Sequence, residues 1–451
     1  MNTLAGQQRR PRVAVVGSGI SGLGAAWQLA PDADVVLFEA DAHFGGHAHT
    51  ADLTLDGIRH GVDTGFLVFN HATYPELLKL FGDLSVPTAP SEMSFSVQVP
   101  EAGLEWSGCS LDSVCAQRRN LLRPRFLGML ADLLRFNRLC STIALARAED
   151  ALDQPIADFL QTHRFSAAFR DWYLLPMLGC IWSCPTDQML QFPVATMIRF
   201  CHNHGLIQVT DRPQWYTVAG GSREYVQRLL ARIPDARLRT RVRALRRTPA
   251  ASGKGGVWLD TDAGPELFDQ VILAGHSDQS LALLGAHASA EERAVLGAIR
   301  YQDNRAVLHT DATLLPQRRK AWAAWNYERS AGSAAQQSVV CLHYLINRLQ
   351  PLPWDRPVVV SLNPAREPAA RSVHAEYQYA HPVFDRAAIA AQARVAGLQG
   401  QAGVWFAGAW TRYGFHEDGL RSGLAAAQGV RQQLAAPTAR WQAADKLRAA
   451  A

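Results

Sequence analysis

A chain of 451 residues is too long for one compact core, so two interleaved domains are expected. Its composition, 48% hydrophobic and 19% charged with no low-complexity tract, excludes an extended disordered protein. The formal charge of +5 comes almost wholly from arginine, with lysine only at Lys79, Lys254, Lys320 and Lys446, and it is too small at this length to suggest a nucleic-acid binder.

The apolar run Val13 to Val16 predicts a buried parallel strand. A turn follows, Gly17-Ser18-Gly19-Ile20-Ser21-Gly22, and Ser21 to Ala30 reads as a packed helix. Val35 to Phe38 predicts a second buried strand, ending in Glu39. Leu53 to Val62 is strand-like, with hairpin turn chemistry at Asp56-Gly57. From about Ser91 to Gln208 the chain is rich in aromatics, leucine and arginine and reads as largely helical. Further on, Val218 to Leu230 predicts a glycine turn and a helix, and Val257 to Leu259 and Phe268 to Ala274 predict strands flanking a turn. Val404 to Ala407 reads as a short strand and Gly419 to Leu434 as an Ala- and Gly-rich helix.

One predicted helix, within 122–139, has a wide apolar side made by Leu122, Phe126, Met129, Leu133 and Phe136, joined by Leu130 and Leu134. Arg118, Arg119, Arg123, Arg125, Arg135 and Arg138 border it. Such a helix can rest on an anionic membrane as a peripheral contact, or pack inward with its arginines solvated; inward packing is the first expectation. No run approaches the roughly 18 to 20 apolar residues of a membrane span, and the polar first twelve residues give no expectation of an export segment. The seven cysteines are odd in number and scattered, as expected for reduced thiols in the cytoplasm. Cys180 and Cys184 are spaced like neighbours on one helix face, and His202 and His204 form a pair, but neither set has the further ligands of a metal site; none is expected.

The chemistry starts at the first turn. Gly17 permits the bend, Gly19 lets backbone approach a pyrophosphate, and Gly22 lets helix and strand pack closely. Ser18, Ile20 and Ser21 complete a loop whose helix N-terminus offers free N–H groups to phosphate. Glu39, twenty-two residues after Gly17, stands where an acid accepts hydrogen bonds from a ribose, with Ala40 beside it. A dinucleotide is expected, and this turn alone does not choose between NAD and FAD.

After Glu39 comes Gly45-Gly46-His47, and here the chain resembles the superfamily of flavin-containing amine oxidases, phytoene desaturases and protoporphyrinogen oxidases. Asp63-Thr64-Gly65-Phe66, Gly220-Gly221-Ser222, Arg241-Val242-Arg243, Phe268 to Ala274, Trp405 to Gly408 and Glu417 to Gly423 continue the resemblance over nearly the full length. It implies FAD as cofactor. It also implies that Gly45, Gly46 and His47 lie against the cofactor, that Gly65 and Phe66 pass the isoalloxazine, that Val242 contacts adenine, and that Gly408, Gly419 and Leu420 close the flavin site. More narrowly, Val62–Asn70, Tyr173–Ser183, Tyr301–His309 and Tyr413–Ser422 resemble a bacterial branch of NAD/FAD-binding proteins that keeps company with cyclopropane-fatty-acid-synthase-like enzymes, which implies a lipid acyl substrate.

Four departures move the expectation away from amines. No lysine occurs between Lys254 and Lys320, where amine oxidases bring one to the flavin, leaving Arg300 and Arg305 as nearby cations. Ala409-Trp410 stands where the superfamily has a ribityl-binding acid, and His47 replaces its usual arginine. His416 stands in place of a second aromatic wall, where it can exchange a proton with substrate or can merely position the helix turn.

The expected fold is therefore α/β: a Rossmann-like, glutathione-reductase-like FAD-binding domain from 1–90, 210–290 and 395–436, an inserted α+β substrate domain from 91–209 and 291–394, and a tail at 437–451. The expected function is hydride transfer between flavin N5 and a hydrophobic substrate, an unsaturated or modified fatty acyl lipid, giving desaturation, saturation or double-bond isomerisation. Amine oxidation and a non-catalytic FAD-binding partner or chaperone role are the alternatives. The expected setting is cytoplasmic, with peripheral contact at the inner face of the membrane; oligomeric state is not legible.

Overall fold

In the computed structural model, residues 9–149, 152, 154–208, 212–248, 256–329 and 340–435 are described. Two units emerge, one from Met1–Gly46, Val226–Ala298 and Ala391–Ala451, the other from His47–Tyr225 and Ile299–Ala390.

The strand Arg12–Val16 is apolar from Val13 on because both faces of a central parallel strand are covered. Asp34–Phe38 and Gln270–Leu273 flank it, and Asp235–Arg237 and Val404–Phe406 form the edges, all pairs running parallel. This is the expected Rossmann-like sheet. The helices Ile20–Leu29 and His416–Ala435 pack against each other through small residues. A Cβ on Gly423 would lie 2.0 Å from the Ser21 carbonyl oxygen, so no other residue allows this approach. A three-stranded antiparallel sheet of Val242–Thr248, Gly256–Thr261 and Gly264–Phe268 completes the unit.

The second unit is α+β. Its seven-stranded sheet runs in the order Val373–Val383, Arg300–His309, Val359–Leu362, Cys341–Leu345, Trp325–Glu328, Phe95–Val99, Leu104–Ser107. Only the pairing of Trp325–Glu328 with Phe95–Val99 is parallel. The helices Pro124–Leu145, Leu175–Trp182 and Val194–Asn203 belong to this unit, as does the hairpin Thr50–Leu55 and Ile58–Asp63, turning at Asp56-Gly57 as predicted.

Several local expectations differ from the structure. Residues 47–90 and 212–225 group with the second unit rather than the first, because Trp215–Val218 pairs with Phe69–Asn70 and Thr88–Ser91. The region after Ser91 opens with two strands before its helices begin. The predicted strand Phe268–Ala274 is divided at Asp269: Phe268 ends an antiparallel strand, and Gln270–Leu273 joins the parallel sheet. Cys184 does not share a helix face with Cys180, since the helix ends at Ser183, whose φ is +51°. All seven cysteines are free thiols, five of them buried. The expected tail at 437–451 lies outside the described residues.

In Pro124–Leu145 the predicted apolar side turns inward only in part: Phe126, Met129 and Phe136 are fully buried, whereas Leu134 on the helix and Leu122 before it are exposed, because the core takes up a narrower stripe than the one predicted. Leu127 and Leu145 are exposed with Leu134, and Leu111 and Leu121 are exposed just before the helix. The spacings of 7 and 11 residues put Leu127, Leu134 and Leu145 on one outer stripe.

Candidate functional site

The first unit builds a cradle at the C-terminal end of its central strand. Gly17 has φ +101°, and its N–H donates to the Phe38 carbonyl at 2.8 Å, drawing the turn against the neighbouring strand. Gly22 is obligatory, because a Cβ there would lie 1.9 Å from the Gly17 carbonyl oxygen. Gly19, the N-cap of Ile20–Leu29, is different: a Cβ there would meet nothing within 4 Å. The helix start has neither a side-chain cap nor an acid in its first turn, so its electropositive end is left to a ligand.

Glu39 is tied into this turn. One carboxylate oxygen accepts from the Ser18 N–H at 2.9 Å and the Ser18 hydroxyl at 2.5 Å, the other from the Asp41 N–H at 2.9 Å. The Gly45 N–H donates to the Ser18 carbonyl at 3.1 Å, and Gly45 bridges Gly19. Gly46, at φ +57°, sits so that a Cβ would be 3.2 Å from the Gly19 Cα. The Gly-Gly pair thus lines the turn. Thr240 donates its N–H to the Glu39 carbonyl at 2.7 Å, placing the strand that starts at Val242 near the same end, while Ala40 is exposed.

At the other end of the chain, the Gly408 N–H donates to the Ser422 hydroxyl at 2.8 Å. Gly408 is glycine because a Cβ would lie 2.2 Å from the Trp410 indole nitrogen. Trp410 is buried, and that nitrogen donates to the Gly275 carbonyl at 3.2 Å, so it packs the unit where an acid was looked for. Gly419 packs on Ile20 and Ser21, and the Leu420 side chain on Gly24; of Leu420 only the backbone faces elsewhere. His416 opens its helix half-buried, and the surrounding packing pushes its pKa down to about 3. The imidazole is neutral at neutral pH, so it can accept or donate one hydrogen bond but does not hold a proton to give.

The second unit gathers a separate set. The Phe66 N–H donates to the His47 carbonyl at 2.7 Å, and Thr64 N–H to that of His49 at 3.0 Å. Gly65 is required between them, since a Cβ would lie 2.2 Å from the His47 carbonyl oxygen. Against this ladder stand Tyr377, Tyr379 and His381, alternate residues of the strand Val373–Val383. The Tyr379 hydroxyl is 2.7 Å from Thr64 Oγ1, the His47 ring is 5.0 Å from that of Tyr379 and 5.2 Å from that of His381, and the His49 ring is 4.6 Å from that of Tyr377. Asn304 holds His381 at 2.8 Å. Tyr379, His381 and Asn304 were not singled out from sequence; the alternation Tyr377-x-Tyr379-x-His381 was the available signal.

Asp63 anchors this ladder below. Fully buried, it accepts from the Thr50 hydroxyl at 2.6 Å, the Ser222 hydroxyl at 2.9 Å and the Ser222 N–H at 2.9 and 3.1 Å, which ties Gly220-Gly221-Ser222 to the hairpin. Burial outweighs these bonds and pushes its pKa up to about 6. Arg305 does not join the set, being paired with Glu367 at 2.7 Å and Glu376 at 2.8 Å. His204 stacks on Phe200 with its Nδ1 3.0 Å from the Phe200 carbonyl oxygen, a packing role.

A family model of NAD(P)-binding Rossmann-like domains matches residues 15–84. No curated protein matches the sequence. Among solved structures, a protein provisionally named protoporphyrinogen oxidase from Exiguobacterium sp. 255-15 is similar at 19% identity and TM-score 0.66, over 94% of this chain and 99% of that one. The CLA-producing fatty acid isomerase from P. acnes is similar at 15% identity and TM-score 0.64, over 94% and 98%. Cyclohexylamine oxidase from Brevibacterium oxydans IH-35A is similar at 15% identity and TM-score 0.65, over 94% and 99%. The chain thus carries an NAD(P)-binding Rossmann-like domain and has the fold of these protoporphyrinogen-oxidase- and amine-oxidase-like proteins.

Proposed function

We propose that the chain is an FAD-dependent oxidoreductase acting on a hydrophobic substrate, an unsaturated or modified fatty acyl lipid. The observation that carries the cofactor is Gly19: an uncapped helix start beside a backbone position whose Cβ direction is empty. FAD is favoured over a nicotinamide dinucleotide by the Gly45-Gly46 pair laid along that turn and by the flavoprotein resemblance of the later motifs. Bound there, FAD supplies a hydride acceptor and donor at its N5. The backbone of Gly17 to Gly22 receives the pyrophosphate and Glu39 the ribose. Gly65 and Phe66 with the His47, Tyr377 and Tyr379 rings supply an aromatic surface for substrate or flavin.

The lipid reading is supported by the fold shared with a fatty acid isomerase and by the absence of lysine between Lys254 and Lys320. Amine oxidation is the second reading, because the fold is equally that of cyclohexylamine and putrescine oxidases. The test is to release and identify the flavin, then mix the holoprotein anaerobically with unsaturated fatty acids, phospholipid vesicles or amines. Lipid double-bond changes by gas chromatography, or bleaching by lipid alone, are expected. Bleaching by amines alone moves the assignment to the second reading, and a chain that binds no FAD overturns both.

The exposed leucines at 111, 121, 122, 127, 134 and 145, with exposed Arg118, Arg125 and Arg138, also fit an anionic bilayer, which would present such a substrate. No described helix is long and apolar enough to cross a membrane, so this contact is peripheral.

A further inference from the structure

The seven-stranded sheet carries a buried polar row that the cofactor chemistry does not use. Glu328 and Cys341 are direct partners across two antiparallel strands, and His343 follows Cys341 on the same face. His343 and Cys341 are 0% exposed and Glu328 5%. The buried carboxylate and thiol share one imidazole, His343 meeting Glu328 at 3.0 Å, and a single metal cation could satisfy all three groups together. The nearest guanidinium contact to Glu328, from Arg366, is a long 3.7 Å.

We propose that Glu328, Cys341 and His343 bind a divalent metal ion of borderline softness, zinc being the best fit. The three ligand atoms lie within 4.8 Å of one another. His343 Nε2 is 3.0 Å from Glu328 Oε2 and 3.5 Å from Cys341 Sγ. Ordinary zinc bond lengths at tetrahedral angles require about 3.3 Å between nitrogen and oxygen and about 3.6 Å between nitrogen and sulfur. These two separations need to change by only a few tenths of an ångström. Sulfur with imidazole selects zinc over magnesium or calcium, which take oxygen ligands.

The outer layer is also in place. His343 Nδ1 is 2.6 Å from Ser361 Oγ, itself 2.6 Å from His309 Nε2, and the Asp311 N–H donates to His309 Nδ1 at 3.1 Å. This chain fixes the orientation of the ligating ring, as outer-layer partners of metal-bound histidines do. The Ala365 N–H points at Cys341 Sγ from 3.3 Å, which favours thiolate. The Arg366 side chain, 56% exposed, connects the Glu328 end of the cluster to solvent. Three protein ligands leave a fourth position for water, the pattern of an open site rather than a closed structural one.

The test uses the full chain, stripped with chelator and titrated with Co2+ and then Zn2+. One equivalent of Co2+ should produce thiolate-to-cobalt charge-transfer absorption that Zn2+ displaces, and Zn2+ should raise the melting temperature. The band should vanish in Cys341→Ser yet persist in Cys109→Ser, which removes the exposed thiol as an adventitious ligand. Ser361→Ala should weaken binding about 10- to 100-fold while leaving one equivalent. Titration of the parent chain decides the matter even where a variant fails to fold. No cobalt–thiolate band, or a band that survives Cys341→Ser, overturns the site and leaves only a hydrogen-bonded cluster.

Discussion

At the residue scale, Gly19 and Gly22 separate two demands that the sequence merges in one motif. Gly22 is glycine because the protein's own backbone fills the space, whereas the Gly19 side is open within the chain. Gly19→Ala should therefore fold with an unchanged melting temperature and lose FAD affinity at least tenfold, about 1.4 kcal/mol. Equal FAD content in parent and variant would show that the ligand does not approach there. His416 gives a pH signature. Burial pushes its pKa down from 6.5 to about 3, so its contribution to stability is present above pH 6.5 and is lost as pH falls toward 3. Asp63 and Asp418, both pushed up by burial from 3.8 to about 6, act oppositely: their stability is full below 3.8 and lost as pH rises through 6. The unfolding free energies of the parent and His416→Asn, from denaturant titrations, should converge as pH drops from 6.5 to 4, by at most about 1.4 kcal/mol per pH unit. Parallel curves would mean the ring is not held neutral by its surroundings.

At the element scale, the sequence is informative where function and period agree. Arg12–Val16, Asp34–Phe38 and Val404–Phe406 were legible as continuous apolar runs, and the first turn as a glycine pattern between strand and helix. Tyr379 and His381 lie on Val373–Val383 and Asn304 on its neighbour Arg300–His309; they were missed because strand pairing brings these residues together with each other and with Thr64 from far along the chain. The cluster at Glu328, Cys341 and His343 escaped for a related reason. Strand pairing, not a CxxC- or HxxxH-like spacing, brings its members together. Pro124–Leu145 shows a further limit. Its leucines outnumber what one face can bury: periodicity placed Phe126, Met129 and Phe136 inward correctly, but it also assigned Leu122 and Leu134 to that side, and both are exposed.

On the scale of the whole molecule, the outer leucine stripe is open to experiment. Leu127→Ser with Leu134→Ser should reduce co-sedimentation with phosphatidylglycerol vesicles severalfold and shift the melting temperature little, since both side chains are already exposed. Added salt should weaken parent binding by screening the arginines. Unchanged sedimentation in the double variant would remove this surface from the account of substrate delivery. The fold class was legible as a whole, because a Rossmann-like sheet and an α+β unit follow from element types. The division between the units was less so: the segment 47–90 continues directly from the glycine motifs, yet its strands find their partners in the second unit.

The contact of Gly423 with the Ser21 carbonyl has a kinetic side. The turn Gly17 to Gly22 and the completed helix that braces it, ending at Ala435, lie some four hundred residues apart in the sequence. Contacts of such sequence separation form late and slowly. Until they form, the phosphate loop is glycine-rich and unbraced. On the proposed assignment, bound FAD favours the state in which this packing is closed. Free FAD supplied during refolding should speed the final folding phase as well as stabilise its product.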